Sequence, residues 1–157
     1  MKEVSESTWS FQIIIFFILI FACFLILAIS YNKAYVVKNR TLTIIEKYEG
    51  VTTKSIDIIN GFMYEKAYKT TGKCDEGWYG ATDLEGSYEK SDGTQDFYYC
   101  FKEQKSKNNR IYYSVQVFYR FNLPILGNIF NYKIEGDTKN FIGANNRITN
   151  KEVTQWM

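Results

Sequence analysis

FQIIIFFILIFACFLILAI, Phe11 to Ile29, holds nineteen residues without a charge, and the uncharged run around it extends from Ser7 to Asn32. About 20 apolar residues of helix cross the hydrocarbon core of a bilayer. A backbone in lipid must satisfy its own hydrogen bonds, so such a stretch is helical. The residues that follow are polar, turn-rich and aromatic. The sequence therefore predicts one membrane helix holding one small domain: a short N-terminal segment over residues 1–10, a transmembrane helix over 11–30, an α+β domain over 31–141 and a polar tail over 142–157.

Working outward, the ten residues before the span carry one Lys against two Glu. A cleavable signal peptide favours a basic start and a shorter apolar core, although Ala28-Ile29-Ser30 has the small-x-small form of a cleavage site. A lipid anchor at Cys23 fits less well, because that cysteine sits in mid-span behind Phe21. A soluble core helix fits least, because the stretch has no polar face.

On the other side, YNKAYVVKNRTLTIIEKYE over residues 31–49 places Ala34, Val37, Thr41, Ile44, Ile45 and Tyr48 on one helical stripe. One continuous helix over about residues 10–49 is predicted, greasy all round in its first half and amphipathic in its second, with Gly50 as the C-cap. A shorter helix over residues 53–66 follows, capped by a Ser or Thr, with Ile56, Ile59, Met63 and Ala67 on its apolar side. Gly61 weakens it by about 1 kcal/mol relative to Ala.

CDEGWYGATDLEGSYEKSDGTQD over residues 74–96 has four glycines and seven acids against one Lys. It reads as a solvated acidic loop closed by Cys74 and Cys100. Calcium is the alternative occupant of such a cluster, but EF-hand spacing is absent. Strands are predicted over residues 68–71, 97–104 and 111–122, the last with Ile111, Tyr113, Val115, Val117, Tyr119 and Phe121 on one face. Residues 107–110 form a turn. A two-residue turn at Gly127-Asn128 would pair Phe121 with Ile134, Leu123 with Tyr132 and Ile125 with Phe130. Gly136 and Asp137 would then interrupt the last strand before Phe141. The expected architecture is the long helix laid on an antiparallel β-meander.

The bulk numbers narrow the function. A net charge of +2 gives no basic field for nucleic acid. Without a histidine there is no Ser-His-Asp or Cys-His machinery. No phosphate-binding or metalloprotease motif occurs, and the neighbouring acids Asp75 with Glu76 and Asp83 with Glu85 are those of a surface loop. No enzyme activity, cofactor or metal is expected. Tyr98, Tyr99, Phe101, Tyr112, Tyr113, Phe118 and Tyr119 could stack ligands, but alternation sends about half of them into the core. Asn39-Arg40-Thr41 matches the glycosylation triplet and is assigned no role.

Cys74 and Cys100, 26 residues apart, read as one disulfide formed in an oxidising compartment. Two free thiols in a cytosolic domain are the alternative. Lys33, Lys38 and Arg40 after the span favour a cytoplasmic domain by the positive-inside rule. The cysteine pair and the Tyr-, Asn- and Gly-rich loops favour the opposite side, and the domain is expected there, with the N-terminus inside.

An apolar helix continuing as an amphipathic one, then an antiparallel sheet with a cysteine-bounded loop, resembles type IV pilins and pseudopilins. It resembles more closely the small TadE-like components of tight-adherence pilus systems, through Phe121-Asn122-Leu123-Pro124-Ile125-Leu126 and Gly136-Asp137-Thr138. The resemblance implies a membrane-anchored minor pilin or pseudopilin, with membrane lipid and other pilin-like subunits or assembly proteins as partners. Prepilins carry a Gly before the cleavage point and a Glu five residues into the mature helix. Glycine is absent from residues 1–49 here, although Glu6 precedes the span, so the resemblance does not extend to processing. The other reading is a single-pass protein whose outer domain binds a protein partner or wall polymer. A secreted enzyme released after Ser30 is the third.

Overall fold

The computed structural model describes residues 2–106, 110–123 and 127–142. Helix α1 runs unbroken over Lys2–Lys47, and α2 covers Thr53–Glu65. Among the described residues eight strands follow: β1 Gly72–Lys73, β2 Tyr79–Ala81, β3 Tyr88–Lys90, β4 Asp96–Phe97, β5 Tyr99–Lys105, β6 Arg110–Leu123, β7 Gly127–Asp137 and β8 Phe141–Ile142. The main sheet has the order β3-β2-β5-β6-β7 with β8 also on β6, every pairing is antiparallel, and β1 with β4 forms a separate ribbon. The α+β layout is the one expected.

Forty-six helical residues span about 69 Å at 1.5 Å each. Residues 9–22 are exposed on every side. From Ala34 onward the predicted stripe is buried through Ile45, with Ala34, Val37, Thr41, Ile44 and Ile45 at most 4% exposed, while Tyr48 at its end is half-buried against the core. Val37, Ile44 and Ile45 pack on the face of the sheet formed by Tyr99, Phe101, Tyr113, Val115 and Val117, and α2 adds Ile56, Ile59 and Met63 to the same core. Each fully buried aliphatic side chain contributes about 1.5–3 kcal/mol. Thr41 is the polar exception, with its buried Oγ1 lacking a hydrogen-bond partner.

Both helices end in a left-handed residue that is not glycine. At the end of α1, Glu49 takes φ 54°, its N–H donates to the Glu46 carbonyl, and the Gly50 N–H donates to the Ile45 carbonyl. Those two bonds define the Schellman cap. Gly50, expected as the C-cap, thus takes part in the cap one place beyond its left-handed residue. At the end of α2, Ala67 takes φ 48°, and Tyr68 N–H donates to the Met63 carbonyl. Ala67 is therefore an exposed cap rather than part of the apolar side of α2. The start of α2 is a capping box in which Ser55 N–H donates to Thr52 Oγ1 and Thr52 N–H donates to Ser55 Oγ.

The expected loop over residues 74–96 is instead folded around a hairpin. Strands β2 and β3 pair Tyr79 with Lys90 and Ala81 with Tyr88. Asp83 closes the turn, its Oδ1 accepting from the N–H groups of Glu85, Gly86 and Ser87. A short acidic side chain bonding to the backbone just after it makes a turn rather than a disordered loop. The strand expected over residues 68–71 lies instead at Gly72–Lys73, after the cap of α2 has used Tyr68.

Register is the main correction in the sheet. Val117 pairs with Ile134, Tyr119 with Tyr132, Phe121 with Phe130 and Leu123 with Gly127, with an irregularity between Phe121 and Asn122. Ile134 is thus opposite a position four residues earlier than expected, and Gly127-Asn128 lie in β7 rather than in a two-residue turn. An even shift preserves which residues share a face, so the alternation remains correct although the partners change. The expected pairing of Ile125 and the turn over residues 107–110, apart from Arg110, fall outside the described residues, as does the tail beyond Ile142. Gly136 does not interrupt β7. It lets α1 approach, since a Cβ there would lie 2.9 Å from Leu42 Cδ1 and 3.1 Å from Lys38 Cδ.

Two substitutions test this packing. Thr41→Val keeps the shape and removes an unsatisfied buried hydroxyl, and should stabilise the fold by about 1 kcal/mol. A Cβ at Gly80 would stand 2.3 Å from the ring of fully buried Phe97. Gly80→Ala should therefore cost about 1–3 kcal/mol. Thermal melts of the detergent-solubilised protein should move in opposite directions for the two variants.

Candidate functional site

Two regions stand out: the exposed half of α1 with the residues that collar it, and a polar cluster on the back of the sheet.

The first is built by composition. Helix α1 is long and apolar enough to cross a membrane, with a mean hydropathy of 3.3 in its most apolar window and none of that window buried. This fits membrane anchoring. Trp9 is 69% exposed at one end and Tyr31 is 44% exposed at the other. The 22 residue steps from Trp9 to Tyr31 rise about 33 Å, close to the roughly 30 Å hydrocarbon thickness, and Trp and Tyr concentrate at the two interfaces of spanning helices. The predicted limits Phe11 and Ile29 lie just inside that pair, at 67% and 69% exposure.

At the Tyr31 end the helix meets the sheet through aromatic rings. Tyr31 stands edge-on to Tyr119 with ring centroids 5.9 Å apart, and Tyr119 stacks on Tyr132 at 5.2 Å. Tyr35 lies 6.2 Å from Tyr31 in a stacked arrangement, and Lys38 Nζ is 4.8 Å from the Tyr35 ring centre. Burial raises the pKa of the Tyr119 phenol, and the neighbouring phenols of Tyr132 and Tyr31 add to that shift. The sequence pattern placed Tyr119 in the strand but gave no sign that Tyr31, Tyr119 and Tyr132 would meet, because the contact joins residues about ninety apart.

The second region surrounds the disulfide. Cys74 and Cys100 are bonded, with Cα atoms 5.8 Å apart, and both are buried with Trp78, Phe97 and Phe118 in a second core on the face opposite α1. The expected pairing is thus present, and it pins the start of the β2–β3 hairpin to the middle of the sheet. Removing such a bond from a small domain costs about 2–5 kcal/mol. Tyr68, buried in the core under α1, ties the two layers together through its hydroxyl, which donates to the Phe118 carbonyl.

Beside the disulfide, Asp75 Oδ1 accepts from Lys133 Nζ at 2.6 Å, and its Oδ2 accepts from Gln116 Nε2 at 2.7 Å. Gln116 Nε2 also donates to Glu135 Oε2 at 3.3 Å. The Gln116 side chain is fully buried, and its Oε1 has no partner. Hydrogen bonds from Lys133 and Gln116 hold the Asp75 carboxyl below its ordinary pKa. Asp75 with Glu76 gave no hint in the sequence of an ion pair 58 residues away.

These groups bind each other and leave no nucleophile with an adjacent base. Among the described residues no group of three or more His, Cys, Asp or Glu side chains could hold a metal. Of the aromatic residues considered as a stacking surface, Tyr99, Phe101, Tyr113 and Phe118 are buried. Tyr99 and Tyr88 hydroxyls both donate to Asn60 Oδ1, and burial raises the pKa of each phenol. They brace α2 against the sheet. No family model, curated protein or solved structure matches the chain.

The Asp75 pairing carries a pH prediction. A depressed folded-state pKa contributes stability above the ordinary carboxylate pKa, and that stability is lost as pH falls through the folded value. Half of the Asp75 side chain is exposed, so solvent screens the pair and the effect is small. Asp75→Asn should melt below the unsubstituted protein at neutral pH, and the difference should close as pH falls well below about 4.

Proposed function

We propose that the protein is a membrane-anchored, non-enzymatic structural subunit that presents its α+β domain on a rigid stalk and assembles through the exposed half of α1. One observation carries this reading: a single helix is apolar and uncovered over residues 9–22, then becomes a core element from Ala34 onward with no linker between. A flexible tether would anchor the domain equally well. A continuous helix fixes its height and orientation, which matters when copies or partners must align. In this reading the helix sits in lipid and packs on pilin-like subunits or assembly proteins of a pilus or secretion-like system.

The domain is placed on the extracytoplasmic side. The Cys74–Cys100 disulfide supports this, because such bonds persist in oxidising compartments. Lys33, Lys38 and Arg40 weigh the other way.

A second reading, a single-pass protein whose outer domain binds a protein partner or wall polymer without a filament, is favoured by the glycine-free first 49 residues. That stretch lacks the Gly that precedes cleavage in prepilins.

Cys23 lies within the span and is unpaired, so a bis-maleimide applied to intact membranes tests assembly. A crosslinked species containing this chain, lost in Cys23→Ala, is the expected result. Monomer alone, together with no co-purifying partner in mild detergent, would sink the assembly reading. An intact Met1 by N-terminal sequencing would favour the second reading over a processed pilin.

A further inference from the structure

Helix α2 returns beside α1 toward the apolar segment. Residues 48–52 reverse the chain between the two helices. Two contacts then run in opposite sequence order: Arg40 Cζ lies 6.0 Å from the Phe62 ring centre, and Lys33 Nζ lies 5.9 Å from that of Tyr68. The helices are therefore antiparallel, and the end of α2 lies level with the start of the buried stripe of α1. Tyr68 also bonds to the Phe118 carbonyl, next to Tyr119, whose ring meets Tyr31. Lys33 is two residues beyond Tyr31, about 3 Å of helix rise. A headgroup layer adds about 5–8 Å to each side of the hydrocarbon core. With Tyr31 at the hydrocarbon boundary, Lys33 and the turn over residues 66–69 fall within that layer.

This end of the two helices carries one sign of charge. Between Glu6 and Glu46 the chain has no acid, but it has Lys33, Lys38 and Arg40. Between Asp57 and Asp75, Glu65 alone stands against Lys66, Lys69 and Lys73. Lys33, Lys66 and Lys69 are exposed. Glu65 lies 3.5 Å from Lys66, with both side chains more than half exposed, so solvent screens the pair and a phosphate can compete for the ammonium. Tyr64, in the last turn of α2, is 80% exposed, more than Trp9 or Phe11 of the span. The core takes Ile56, Ile59 and Met63 from α2, so packing does not account for an outward tyrosine beside lysines. Exposed aromatic and basic side chains at headgroup height are the composition that anionic lipid attracts.

We propose that Lys33, Lys66 and Lys69, at the end of α2, form a second membrane-contact site that binds the phosphates of anionic phospholipid. The occupant is the headgroup layer of the leaflet that α1 leaves. Charge complementarity and continuity with the span select it: the lysines lie beside the helix that enters the bilayer, at the depth where lipid phosphates are found. A spanning helix alone fixes the height of the domain. A second contact on the α2 side also fixes the direction in which the domain leans, because tilt toward α2 brings the lysines closer to the phosphates. The inference rests on α1 spanning the bilayer, as proposed above.

The test is fluorescence quenching by nitroxide lipids in the full-length Cys23→Ala protein, in vesicles of phosphatidylcholine with or without phosphatidylglycerol. Single labels are placed at Ile20→Cys in the span, Ala67→Cys in the turn after α2 and Thr53→Cys at the opposite end of α2. With phosphatidylglycerol present, a headgroup nitroxide should quench the Ala67 label several-fold more than the Thr53 label. That excess should fall at least two-fold without phosphatidylglycerol, in the combined Lys33→Gln, Lys66→Gln and Lys69→Gln variant, and in about 1 M salt, where screening acts within about 3 Å and no variant has to fold. Equal quenching at Ala67 and Thr53, with acyl-chain quenching at Ile20, overturns the site and leaves the span intact. No acyl-chain quenching at Ile20 overturns the span and the site with it. Quenching at Ala67 that is indifferent to phosphatidylglycerol and to salt overturns phosphate recognition. Self-quenching between Ala67 labels that disappears on dilution with unlabelled protein, without lipid quenching there, also overturns the site, because a second copy would be the occupant.

Discussion

The structure depends on one helix meeting two solvents. Residues 9–22 of α1 offer apolar side chains in every direction, a surface that water penalises and lipid accepts. From Ala34, about 18 Å further along, the same rod must be amphipathic, because one side now faces the sheet and the other faces water. Ala34, Val37, Thr41, Ile44 and Ile45 meet that demand. The chain has no glycine or proline before Gly50 at which the rod could bend. The position of the domain relative to the apolar segment is therefore set by helix geometry.

The rest of the domain follows from covering what α1 leaves open. One face of β5 and β6 receives α1 and α2. The opposite face of β6 carries Gln116 and Phe118, which are also buried, and it needs a second layer. The chain supplies that layer from residues 72–78 and Phe97, held down by the Cys74–Cys100 bond and by the contact of Asp75 with Lys133 and Gln116. Gly72 and Gly80 are at these close approaches, where an added Cβ would strike Phe118 or Phe97. The disulfide is thus part of how a small domain finishes a core on both faces of its sheet.

Several local rules are broken at a cost that tertiary packing offsets. Glu49 and Ala67 occupy left-handed positions that glycine fills more readily. Each is followed by a buried residue, Gly50 or Tyr68, so the chain must turn there for its next segment to pack. The acidic stretch after Cys74 looks like a solvated loop by composition, yet Asp83 uses its carboxylate to build the turn of a hairpin. Composition gave the wrong answer there because it counts charges without saying which backbone groups they bond.

By itself the sequence determined the elements whose signal is periodic. These are the apolar run from Phe11 to Ile29, its continuation as a stripe through Ile45, the apolar side of α2 and the alternation in β6. Each is dictated by the solvent that the repeating side chains must meet. The disulfide was also legible, because a domain with two cysteines allows one pairing. Only the tertiary structure decided the partners. The four-residue displacement of Ile134, the meeting of Tyr31 with Tyr119 and Tyr132, and the bonding of Asp75 to Lys133 join residues far apart in the chain. Periodicity is blind to them: an even shift of register leaves every face unchanged, and contacts of that kind are settled by how whole surfaces fit.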